Sequence, residues 1–299
     1  MQDTGILDSR KLPDEEFLKL WNAIILDSEV KDRLLSQAVL NFTLRPKVNR
    51  AELPLHGVIL LVGEPGTGKT SLARGLAART AEIIPSKKGF WYVEVDPHAL
   101  TSSALGKSQQ AVTELLGNKI PEYAAQHPVI VLLDEVEALA TDRAKLSLEA
   151  NPIDVHRATD AVLSQLDQLA AKHPNLLFIA TSNFPKAIDS AFVSRADLIL
   201  SINLPNQEAC RAILTSTIQA VAEPYPKVKA ILTDPGFTSV VSMCEGLDGR
   251  RIRKLVAAAC TYRKEVAFDP DNLTLEDLYR AVEHEQQQLQ ATQGESKSE

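Results

Sequence analysis

The stretch Gly63-Glu64-Pro65-Gly66-Thr67-Gly68-Lys69-Thr70 spells G-x-x-x-x-G-K-T and stands between the apolar run Val58–Val62 and a helical pattern over 71–80. The flanks constrain the fold more than the motif does. A strand that delivers such a loop to the end of a sheet lets the N-terminus of the next helix aim its unpaired N–H groups at an anion. Gly66 and Gly68 allow the backbone to curl around that anion with no Cβ in the way. Lys69 can then reach the β- and γ-phosphates of a nucleotide, and the Thr70 hydroxyl can ligate Mg²⁺. A chance glycine-rich turn would lack the strand and the helix. The expected ATP-binding set is therefore Gly63, Glu64, Pro65, Gly66, Thr67, Gly68, Lys69, Thr70 and Ser71.

Further along, Val129–Leu133 is five consecutive apolar residues that end at Asp134-Glu135. Such a run reads as a buried central strand of a parallel sheet. Its last residues emerge where open α/β sheets bind ligands. Asp134 can hold the Mg²⁺ that bridges the phosphates, and Glu135 can accept a proton from an attacking water or orient it. Glu137 falls where an acid meets the positive end of the next helix. Another apolar run over 176–181 leads through Ser182 to Asn183, which would emerge beside Glu135. An amide there can hold water or a γ-phosphate oxygen without adding charge, although Asn also opens turns, and Pro185 follows. Arg195 and Arg250 are candidates to stabilise charge spreading over phosphoryl oxygens. The bland fate of either arginine is a surface salt bridge.

In this order of motifs the chain resembles an AAA+ ATPase. The likeness narrows to the pachytene-checkpoint branch through Asp134-Glu135-Val136-Glu137, Ala161-Val162-Leu163-Ser164-Gln165-Leu166-Asp167-Gln168, Ala191-Phe192-Val193-Ser194-Arg195-Ala196-Asp197, and Gly249-Arg250 followed by Arg253-Lys254-Leu255. Glu29-Val30-Lys31 with Leu34-Leu35 extends it upstream. Members of that branch remodel HORMA-domain proteins. The resemblance implies an ATPase with Asn183 as first sensor, Arg250 as second sensor, and Arg195 as a finger reaching into the next subunit's site. A finger acting in trans implies a ring, a homo-hexamer. Arg195 is the one arginine between Asn183 and Arg211. The short stretch before Gly63 resembles bacterial members that accompany HORMA proteins and cyclic-oligonucleotide synthases in antiphage (CBASS-type) signalling operons. A substrate-gripping pore loop would fall at Ala104, Leu105 and Gly106, which lack the aromatic that many relatives carry there.

The expected fold is α/β: an AAA+ domain with a five-stranded parallel sheet flanked by helices, plus a small C-terminal helical lid. The expected boundaries are entry helices over 1–50, the nucleotide-binding domain over 51–205, the lid over 206–284, and a disordered tail over 285–299 rich in Gln, Ser, Glu and Lys. No apolar stretch approaches the ~20 residues of a membrane span. Cys210, Cys244 and Cys260 are an odd, widely spaced set, which suits a reducing, cytoplasmic setting rather than a disulfide framework. A net charge of −7 works against non-specific binding to nucleic acid, with Arg250, Arg251, Arg253 and Lys254 as a local basic exception. Two other readings of the same site stay open: a DNA-handling ATPase of clamp-loader or helicase-loader type, and a scaffold that binds nucleotide and barely hydrolyses it.

Overall fold

Five apolar strands lie parallel in the computed structural model, which describes residues 5–97, 107–140 and 152–295. They are β2 (Val58–Val62), β3 (Phe90–Val95), β4 (Val129–Leu133), β5 (Leu176–Ser182) and β6 (Leu198–Ser201). Every residue of β2, β4 and β5 is buried, as expected for parallel strands covered on both faces. Successive side chains alternate between two cores. Val58, Leu60 and Val62 join Val131, Leu133, Leu166 and Phe192 on one face. Ile59 and Leu61 join Leu72, Leu76, Phe17 and Trp21 on the other.

A sixth strand, β1 (Ile6–Leu12), pairs antiparallel with β3 in the register Ser9↔Val93 and Leu12↔Phe90. The sheet order is β1-β3-β4-β5-β2-β6. The expectation of helices throughout 1–50 is corrected here. Ile6–Leu12 is Ile-Leu-Asp-Ser-Arg-Lys-Leu, too polar to stand out as a strand. Its ladder with β3, rather than a buried face of its own, makes it one. The two expected helices follow as α1 (Glu15–Ala23) and α2 (Ser28–Thr43), capped by Asp14 and Asp27. The carboxylates of these caps take otherwise unpaired N–H groups at the helix starts.

Helix α3 (Lys69–Ile83) carries the loop's C-terminal end into the core. Here Gly75 serves close packing. A Cβ on it would lie 2.7 Å from the backbone nitrogen of Trp21, so the glycine lets α1 lie directly on α3. A buried bond network ties α3 to β3. Arg74 forks onto Glu94 at 3.0 and 2.7 Å, and the Tyr92 hydroxyl donates to the same carboxylate at 2.7 Å.

The chain divides into two compact units, Met1–Glu64 with Lys69–Ile202, and Pro65–Gly68 with Asn203–Glu299. The second is helical, built on Gln207–Ala222, Phe237–Met243, Gly249–Ala259, Lys264–Phe268 and Leu275–Glu295. Its core includes Cys210, Leu214, Ile218, Val241, Ile252, Val256, Leu278 and Val282. The last helix runs on to Glu295, through the segment where composition suggested a disordered tail from 285. Contacts explain the difference. Glu285 accepts from Arg251 at 2.7 Å, and the Gln286 amide donates to the Met243 and Glu245 carbonyls at 2.7 and 3.1 Å.

At the start of that helix the buried Asp277 carboxylate takes a bidentate fork from Arg263 at 2.7 and 2.5 Å, and the N–H and hydroxyl of Thr274. The Arg263 hydrogen bond, with those from Thr274, holds its pKa down at about 2. A depressed carboxylate pKa contributes stability that is complete above the unfolded value near 4 and is lost as pH falls through the folded value. The Tm gap between wild type and Asp277→Asn should therefore be widest above pH 5 and close towards pH 2. Thermal melts followed by circular dichroism across that window check this. A gap that stays constant with pH would remove the carboxylate's charge as its cause.

Candidate active site

The C-terminal ends of β2, β4 and β5 lie side by side, because Val62 pairs with Ser182 and Leu133 with Ala180. Every side chain expected to act on the phosphates from these strand ends is thereby gathered at one edge. Gly66 and Gly68 adopt φ of 82° and 92°, values that only glycine takes without strain, so the loop curls as its sequence requires. Lys69 is buried, and its ammonium donates to the Gly63 and Glu64 carbonyls at 2.9 and 2.8 Å, which directs it over the loop.

Thr70 and Asp134 meet directly. The Thr70 hydroxyl donates to Asp134 Oδ1 at 2.8 Å. Two hard oxygen ligands, converging beside a phosphate-binding loop, suit Mg²⁺, which takes one or two protein oxygens and fills its remaining positions with phosphates and water. One residue on, Glu135 Oε1 accepts from the Asn183 side-chain amide at 3.1 Å. Glu135 has φ 51° and ψ 53° and is the one non-glycine residue with positive φ among the described residues. A left-handed L-residue costs roughly 1–2 kcal/mol, a strain of the kind that clusters at reactive sites.

Two contributors were not legible in the sequence. Glu137, expected to serve a helix dipole, does stand in the first turn of the short helix Val136–Ala138 and also accepts the backbone N–H of Asn183 at 3.0 Å. Asn183 is therefore gripped twice, at its side chain by Glu135 and at its backbone by Glu137. Thr181, buried on β5, bonds both Asp134 and Glu135. Its only sequence signal is a hydroxyl two residues before Asn183.

Arg195 lies apart from that edge, at the other end of β2. Arg195 follows the short helix Ser190–Val193 and forks onto Asp167 at 2.9 and 2.7 Å, with a third bond to the Ala191 carbonyl at 2.6 Å. That hydrogen bonding holds Asp167 below the usual carboxylate range. His56 Nε2 lies 3.4 Å from the same carboxylate, but burial, and then the Arg50 charge, push it below the usual imidazole range and favour its neutral form. Asp197 accepts the N–H groups of His56, Gly57 and Val58, so this cluster sits at the N-terminal end of β2. The length of β2, roughly 13 Å at strand rise, separates it from the chain's own phosphate loop. Arg250 begins the helix Gly249–Ala259 in the second unit, with its side chain exposed. Asp248 caps that helix, accepting the Arg250 and Arg251 N–H groups at 2.9 and 3.0 Å. Within the same unit the Asp248 carboxylate lies against Gly66. The pore-loop positions Ala104, Leu105 and Gly106 lie outside the described residues.

A phosphate loop, a strand-end acid pair and a strand-end Asn on a mostly parallel sheet, with a helical C-terminal unit, define an AAA-type nucleotide hydrolase. The model of the ATPase family associated with various cellular activities (AAA) matches residues 59–204, and the chain belongs to that family. Its place within it is the branch of the pachytene-checkpoint proteins. It is 56% identical over 283 residues to CD-NTase-associated protein 6 of Pseudomonas aeruginosa, covering 95% of this chain and 93% of that protein. To the pachytene checkpoint protein 2 homolog of Danio rerio it is 32% identical over 308 residues, covering 94% and 71%. The solved C. elegans PCH-2 superimposes with a TM-score of 0.74 at 27% identity, over 96% of this chain and 78% of that one. A chain of the E. coli MS115-1 HORMA:CdnC:Trip13 complex shares the fold, with a TM-score of 0.70 at 20% identity, over 94% and 95%. No described helix is long and apolar enough to cross a membrane.

Removing the Lys69 ammonium, which sits on the Gly63 and Glu64 carbonyls of the loop, should abolish nucleotide binding. Titration of Lys69→Ala with a fluorescent ATP analogue checks this. Affinity within a few-fold of wild type would show that the loop backbone alone carries the anion.

Proposed function

We propose that this chain is an ATP-hydrolysing ring remodeller that disassembles or unfolds HORMA-domain proteins or their complexes and thereby regulates an antiphage signalling system of the CBASS type. The observation that carries hydrolysis is the Glu135 carboxylate, aimed by the Asn183 amide at 3.1 Å and placed one residue from the Asp134–Thr70 pair. A module that only bound nucleotide would not need an oriented base beside its cation ligands. Mg²⁺ held by Thr70 and Asp134 would neutralise charge on the phosphates and set their geometry. Lys69 and the loop amides hold the phosphates, Glu135 takes a proton from water, and Asn183 keeps that carboxylate and the water in line.

The choice of HORMA proteins rests on relatives. The Pseudomonas protein, 56% identical, is named for its association with a CD-NTase. A fold neighbour was solved in a complex with HORMA and CdnC. A HORMA-domain protein, alone or with a cyclic-oligonucleotide synthase, is the partner this supports. Three free cysteines suit a cytoplasmic, reducing setting.

Arg195 supports a ring. It lies at the far end of β2 from its own loop. As a finger it acts on a neighbouring subunit, and a closed hexamer gives every site one such neighbour. Arg250 is assigned to the second-sensor role.

Glu135→Gln should bind ATP and turn over on the order of 10²-fold or more slowly, as for loss of a positioned base. Mixing Arg195→Ala with Glu135→Gln subunits should restore part of the ATPase activity. No recovery at any ratio would count against a trans arginine.

The reading as a whole is tested by ATPase rate and complex disassembly with a HORMA-domain protein and, separately, with DNA. Stimulation by the HORMA protein that Glu135→Gln abolishes is expected. Stimulation by DNA alone, falling steeply with salt, would replace the remodelling assignment with a DNA-handling one.

A further inference from the structure

Thr181 is the penultimate residue of β5 and is almost fully buried. Its hydroxyl oxygen accepts the backbone N–H of Glu135 at 3.1 Å and lies 2.5 Å from Asp134 Oδ1. The direction of each bond follows from chemistry. An amide N–H only donates, and an ionised carboxylate only accepts, so the single hydroxyl proton goes to Asp134. One side chain thus holds two consecutive residues, the first by its side chain and the second by its backbone.

That double hold answers a geometric problem. Consecutive residues of an extended strand point to opposite faces. Asp134 bonds Thr181, and Glu135 bonds Asn183. Thr181 lies within β5 and Asn183 directly follows the strand's last residue, so each of the two acids has its own partner there. The chain leaves strand geometry after Leu133, and Glu135 takes the left-handed conformation there. The N–H that Thr181 accepts belongs to this strained residue.

We propose that Thr181 is a positioning residue for hydrolysis: its hydroxyl locks the Asp134 carboxylate and holds Glu135 in the left-handed conformation that aims its carboxylate at Asn183 and the attacking water. The proposal rests on the reading of Glu135 as the base. It predicts that the hydroxyl matters to turnover more than to nucleotide affinity, because the two bonds it makes here fall on the acid pair.

The test compares Thr181→Val, which keeps the shape and removes the hydroxyl, with Thr181→Ser, which keeps the hydroxyl. Both are measured in the full chain for kcat, KM and affinity for a fluorescent ATP analogue. The Val variant should lose about 10- to 100-fold in kcat, the scale of a misplaced catalytic group, with KM and analogue affinity changed less than about threefold. The Ser variant should recover kcat to within about threefold of wild type. In a Glu135→Gln background, Thr181→Val should cost little more, since the group it positions is already gone. Val with wild-type kcat, Ser as slow as Val, or loss of analogue binding in Val would each overturn the proposal. Should Val fail to fold, Thr181→Ala against Thr181→Ser makes the same comparison. The underlying reading fails separately. If Glu135→Gln leaves kcat unchanged, the base assignment falls. If Glu135→Gln is slow while Thr181→Val is not, only the role of Thr181 falls.

Discussion

The Asp134 carboxylate leaves a fully buried strand and accepts hydroxyl hydrogen bonds from two directions on the same oxygen, Thr70 from the start of α3 and Thr181 from β5. A charge at the edge of an apolar core needs such partners, since an unsatisfied one there is strongly unfavourable. Meeting that need joins the three elements on which the site is built. The helix that follows the phosphate loop, the strand that ends in the acid pair and the strand that ends in Asn183 are set against one another by groups a few ångströms across. The parallel register makes this possible, because it brings the three C-terminal strand ends to one edge.

The same polarity separates functions along the sheet. The cluster of Arg195, Asp167 and His56 lies at the opposite end of β2, anchored by the Asp197 carboxylate on three consecutive N–H groups. A rigid sheet keeps the two ends apart by the length of β2. In the proposed ring, the Arg195 cation at that end would serve the site of a neighbouring copy.

Legibility differs between backbone and side-chain effects. Strands β2, β4 and β5 were readable because burial on both faces demands near-continuous apolar runs, as in Val129–Leu133. β1 was not, because an edge strand needs only one partner and can carry Asp8, Arg10 and Lys11. The loop, Asp134, Glu135 and Asn183 were readable from residue type and spacing. Thr181 and Glu137 were not, because a buried Thr on a strand and an acid after a turn are both ordinary, and their roles depend on which neighbour the fold sets beside them. The last helix makes the same point. Its Gln- and Glu-rich composition suggested a tail, while Arg251 and the carbonyls of Met243 and Glu245 hold it as a helix.

By itself the sequence determined the parallel core, the phosphate loop and the acid pair and amide that stand at the strand ends, since each follows from local periodicity or from a short motif. Only the tertiary structure decided which hydroxyl orients the acids, that Glu135 is left-handed, and that Arg195 faces away from its own loop. These are relations between residues far apart in the chain. They are set by strand register and by the demand that each buried polar group find a partner, and no local pattern of residues encodes either one.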